Sequence, residues 1–153
     1  MAAAGKTPGD YFSKRNIQLQ PGMRADAAVR RVMQDLLHAM LVNEQGTIED
    51  LDSEFLHDFR VAVRRTRSAL AELKWVFPPA TLKRFKREFA WLGSITTKLR
   101  DLDVYLIKFN RYKAMLPAEL QDGLEPLRGF LRDKQQIEQS QHLAVQLRST
   151  RYR

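Results

Sequence analysis

"HDFRVAVRRTR", residues 57–67, holds four arginines, a histidine and one acid. At about 100° per residue it separates into two faces, which marks it as helix. Arg60, Arg64 and Arg67 fall within roughly 80° of His57, and Lys74 lies just beyond. Phe59, Val63, Thr66, Leu70 and Phe77 lie on the opposite side, with Ala62 and Leu73 at its edge. Solvated helices intersperse both signs, because like charges at i, i+4 repel by a few tenths of a kcal/mol. Arg60 and Arg64 are such a pair, and Asp58 and Glu72 lie to the flank rather than within the row. An external anion explains the arrangement, since the guanidinium fork donates two hydrogen bonds to a phosphate or carboxylate.

The same period extends outward in both directions. A first helix is expected over about 23–42, with Val29, Val32, Met33, Leu36 and Met40 on its apolar face and Asn43 to Gly46 ending it. "EQGTIEDLDSE" (44–54) is expected as an acidic loop leading to a cap at Asp52 or Ser53. The basic helix should run over about 53–76 and stop at Pro78-Pro79. A third is expected over about 80–98, on the stripe Leu82, Phe85, Phe89, Leu92 and Thr96, and a fourth from a cap at Asp101 to about Met115. A last helical region opens at Pro117, is interrupted near Gly123–Pro126 and continues to Arg153. No strand-like alternation of useful length occurs. The fold class is therefore all-α, an antiparallel helical bundle of about four to five helices over 21–153, preceded by a mobile polar arm over 1–20.

The 153 residues are 44% apolar, enough for a core, and their net charge of +8 points to an acidic partner. There is no cysteine, so disulfides and thiolate metal sites are excluded, and the composition suits a reducing cytoplasm. No secretory signal or membrane span is visible. Other helices add cations: Arg24, Arg31 and His38 on the first, Lys83, Arg87 and Lys98 on the third with Trp91 nearby, and Lys108 and Arg111 on the fourth.

"LHDFRVAVRRTRSAL" (56–70), followed by "LRDLDVYL" (99–106), resembles the CHAD family, the conserved histidine α-helical domain. His57, Arg60, Val61, Arg64, Arg65 and Arg67 match its first motif; Arg100, Asp101, Asp103 and Val104 match its second. "RADAAVRRVMQDLLHAM" (24–40) is similar to the helix that precedes them. The resemblance covers about 20–153. It implies binding of inorganic polyphosphate by basic residues lining a groove or pore, with His57, Arg60, Arg64, Arg65, Arg67 and Arg100 as anion ligands. Arg65 points about 80° away from His57 on the wheel, and the acids beside Arg100 compete for it. A full domain of this family is roughly twice as long, with a second basic helix that this sequence lacks. The expectation is half of a two-bundle domain: a truncated chain, a fragment or a half-length member.

Three functions compete. The first is a non-catalytic module for polyphosphate, with Lys74, Arg24, Arg31, Lys83 and Arg87 extending the surface, and with no cofactor and no metal. The cellular expectation is the cytoplasm, at polyphosphate granules. The second is nucleic-acid binding, which calls for aromatic or amide side chains interleaved on the basic face; the His57 row offers only Trp75, at its far end. The third is an enzyme with His57 as phosphoryl acceptor or general acid, and nothing resembles the alternating-glutamate metal site of the CYTH triphosphatases to which such domains are often joined. Membrane-surface binding is disfavoured, because the faces opposite the basic rows are needed for the core. Leu143, Val145 and Leu147 are expected to remain uncovered, which favours association, with a two-fold homodimer as the simplest closed form.

Overall fold

The computed structural model describes residues 17–153. Its order is α1 (Ala25–Ile48), α2 (Ser53–Glu72), α3 (Pro79–Ile95), α4 (Thr97–Lys113), α5 (Ala118–Gln121), α6 (Glu125–Ile137) and α7 (Ala144–Leu147). No strand occurs among the described residues, and the fold is all-α, a helical bundle. The chain forms two compact units, one ending at Ser94 and the other spanning Ile95–Arg153. Of the expected arm over 1–20, the first sixteen residues lie outside the described region, and 17–20 have no regular structure.

In the first unit α1 and α2 form a helical hairpin. Val29, Leu36 and Met40 are buried as the apolar period requires, while Val32 and Met33 are half-buried. α2 contributes Phe55, Leu56, Phe59, Ala62, Val63 and Leu70 to the same core. Burying each larger apolar side chain stabilises by about 1.5–3 kcal/mol.

α1 continues to Ile48, past its expected end at Val42. Two of the polar residues that read as a loop donate to the helix's own carbonyls. Asn43 Nδ2 donates to the Ala39 carbonyl at 2.8 Å, and Thr47 Oγ1 to the Asn43 carbonyl at 2.8 Å. Gly46 is buried inside the helix, and the Phe55 ring occupies the space that a Cβ there would need. Asp52 caps α2 as expected, accepting from the Glu54 amide at 2.9 Å.

α2 ends at Glu72, short of Val76, and tightens into a 3₁₀ turn over Lys74–Val76. Phe77 is extended, φ −107° and ψ 143°, as a residue before proline must be. Pro79 then occupies the first position of α3, where a missing amide proton is harmless. On α3 only Leu92 is buried; Leu82 and Phe89 are half-buried, and Phe85 is exposed.

In the second unit α4 opens at Thr97 rather than at an Asp101 cap. "RDLDV" lies within the helix, with Asp101 exposed and Asp103 buried and accepting from Gln135 Nε2 at 3.1 Å. α4 packs on α6. The Arg128 guanidinium sits 4.5 Å from the Phe109 ring centroid, and Lys113 Nζ lies 2.8 Å from Glu125 and 3.4 Å from Asp122. Hydrogen bonding to Glu125 raises the Lys113 pKa, and the same bond holds the Glu125 carboxyl below its ordinary range. The expected interruption appears as the short α5, a 3₁₀ turn over Asp122–Leu124, and Pro126 in the first turn of α6. A π-helical turn over Glu138–Leu143 joins α6 to α7. Leu143 and Leu147, expected uncovered, are fully buried, and of the trio only Val145 is exposed. The extra residue of the π turn changes which side chains face inward beyond it.

Candidate functional site

α2 is sorted by its own period. Phe59, Val63 and Leu70 are buried, so the rows on the other side of the axis are driven outward. Arg64, Arg65 and Arg67 are exposed; His57 and Arg60 are half-buried.

Arg64 and Arg67 line an open cleft of about 530 Å³ together with Ser68, Ala71, Glu72 and, from α3, Lys86. Arg64, Arg67 and Lys86 have no ion-pair partner among the described residues, although Glu72 borders the same space. Gly93 brings α3 and these side chains close. Arg60 donates to its carbonyl at 3.3 Å, and a Cβ at Gly93 would stand 3.0 Å from the Arg67 guanidinium. Arg60 is thus tied to α3 backbone, leaving Arg64 and Arg67 as the outward members of the row.

The other expected site residues are dispersed. Arg65 lies on the side of α2 that faces α1, in a cavity of about 280 Å³ that Asp35 and Asp58 also line. Arg24 and Arg31 border a third, shallow cavity with Arg30 on α1, and Arg24 is held by Asp26 at 3.1 Å. The Arg24 bond lowers the Asp26 pKa. Lys74 and Lys83 are exposed, and Arg87 pairs with Glu88 at 2.9 Å. Arg100 is half-buried on α4, in the second unit.

Lys86 lines the cleft, whereas Lys83 and Arg87, the cations expected from α3, do not. The usable signal was its place two turns before Gly93 on one face of α3. No cluster of three or more His, Cys, Asp or Glu side chains suited to a metal occurs among the described residues, and no described helix is long and apolar enough to cross a membrane.

A search of curated protein sequences finds none that matches the chain. The sequence model of the CHAD domain matches residues 31–153, from the second turn of α1 through the basic helix and the "RDLDV" helix to Arg153. With most of its length covered by that match, and with the two motifs on helices of an all-α fold, the chain belongs to the CHAD family.

Proposed function

We propose that this chain binds inorganic polyphosphate, without catalysing a reaction on it, through the outward face of α2 and the cations of α3 that meet it. The observation that carries the reading is the cleft of Arg64, Arg67 and Lys86, three cations brought together with no ion pair among the described residues to neutralise them. Like charges held together in one cleft raise the free energy of the empty state, and an anion relieves it. A linear polyphosphate fits because it presents charge at every repeat and asks for nothing else.

The lining favours it over nucleic acid at this place, since Arg64, Arg67, Ser68, Ala71, Glu72 and Lys86 include no aromatic ring to stack on a base. Lys74, Lys83 and Arg31 are exposed cations of the same unit that extend the charged surface available to a longer chain. A two-fold dimer belongs to the same proposal, on the exposed Leu127, Phe130 and Ile137 of α6, and sedimentation at low micromolar concentration reads it. In cells the corresponding expectation is accumulation at polyphosphate deposits.

Calorimetric titration with long-chain polyphosphate tests the site. R64E and R67E should each weaken binding ten-fold or more, the loss of a charge-assisted hydrogen bond of about 1.5–3 kcal/mol. Their helical circular dichroism should match wild type, because both side chains are exposed. Wild-type affinity in both variants removes these residues from the site. Displacement of polyphosphate by DNA at matched charge would favour the nucleic-acid reading instead.

A further inference from the structure

We propose that the outer face of α4 is a platform for single-stranded nucleic acid, with Tyr105 and Tyr112 stacking on bases and Lys108 and Arg111 holding the phosphates between them. The inference does not depend on the polyphosphate reading and uses none of its residues.

α4 buries Leu99, Asp103 and Phe109, which fixes the opposite side of the helix as its solvent face. Tyr105 and Tyr112 border that face at 52% and 42% exposure. They lie seven residues apart, so they project within roughly 20° of one another and about 10.5 Å apart along the axis. Lys108 falls between them, Arg111 flanks the row, and both are exposed.

The helix sorts its cations. Lys98 near its start is held by Glu138 at 2.6 Å, and Lys113 at its end by Glu125 at 2.8 Å. Lys108 and Arg111 have no ion-pair partner among the described residues. Two open rings in one row, with unneutralised cations beside and between them along the axis, offer what a single strand uses: rings for the base faces and cations for the backbone. The separation of about 10.5 Å spans about three stacked nucleotides at ~3.4 Å each. Polyphosphate would use the two cations and leave the rings idle. A bilayer would meet Asp101 and two phenol hydroxyls where it needs apolar side chains.

The test is fluorescence anisotropy with the full chain and a labelled uridine oligonucleotide about a dozen residues long, beside an abasic oligomer of equal length and charge. The expected result is saturable binding, at least ten-fold weaker for the abasic oligomer and for Y105A/Y112A, and largely restored in Y105F/Y112F. Y105A/Y112A should bind long-chain polyphosphate within about two-fold of wild type, because neither ring lines the cleft of Arg64, Arg67 and Lys86. Equal affinity for the abasic oligomer, an unaltered affinity in Y105A/Y112A, or no binding of the oligonucleotide by the wild type would each overturn the proposal. So would a sedimentation coefficient that falls in Y105A/Y112A while oligonucleotide affinity does not, since the rings would then serve a second copy of the chain.

Discussion

Asp50 turns the chain from α1 into α2 with φ at 53°, in left-handed backbone that L residues enter at a cost. Burial raises its carboxyl pKa. A raised pKa on an acid means that the folded state disfavours the charged form. The destabilisation is present above the folded pKa and vanishes below the unfolded value near 3.9. D50N keeps a side chain that tolerates the left-handed region and removes the charge. Because the side chain is exposed and only partly desolvated, it should raise the melting temperature at neutral pH only slightly. The gain should shrink as pH falls through the carboxylate range, and a gain constant with pH would assign it to backbone alone. Single residues were unevenly legible in the sequence. The Asp52 cap was readable because an N-cap is a local contract between a side chain and an amide two residues on. Arg64 and Arg67 were readable because the core fixes the face opposite them. Lys86 was not, because its role depends on where α3 meets α2, which a wheel drawn for one helix does not contain.

At the scale of elements, the α1–α2 hairpin is keyed by one contact. The Phe55 ring fills the place that a side chain on Gly46 would take. G46A should destabilise the chain by about 1–3 kcal/mol through overpacking, and F55A by about 3–5 kcal/mol through the cavity it leaves. Because the two changes meet in the same space, G46A/F55A should lose less than the sum, and chemical denaturation of the four-membered cycle measures the difference. Strict additivity would show that the ring moves aside freely. This contact also explains why the end of α1 was misread. Asn43, Gly46 and Thr47 carry loop composition, yet two of them bond to their own helix and the third clears room for a ring nine residues on. The "RDLDV" stretch misled in the same way: Asp101 has the chemistry of a cap, but the buried Asp103 that receives Gln135 fixes α4 to run through it. Helix existence followed from apolar period, whereas helix ends followed from tertiary partners.

At the scale of the whole molecule, the net charge of +8 and the unpaired cations of the cleft act on folding as well as on binding. Most ion-pair-rich proteins soften as salt is added. With a net charge of +8 repulsion should outweigh attraction, so the chain should do the opposite. Its melting temperature should rise as the Debye length shrinks from ~30 Å at 0.01 M to ~8 Å at 0.15 M salt, and R64E/R67E should flatten that rise. A melting temperature that falls with salt in wild type would mean that attraction, not repulsion, governs the charged surface. On the proposed reading, tripolyphosphate should stabilise more than chloride at equal ionic strength, as a ligand of the folded form does beyond screening. The consequence reaches beyond the ligand itself. On that reading, a protein assembled around crowded like charges should be softest in dilute, anion-poor surroundings and firmest where phosphate chains accumulate. Its lifetime before proteolysis would then report the anion supply around it, so that the Arg64–Arg67–Lys86 cleft couples how long the molecule survives to how much polyanion there is to hold.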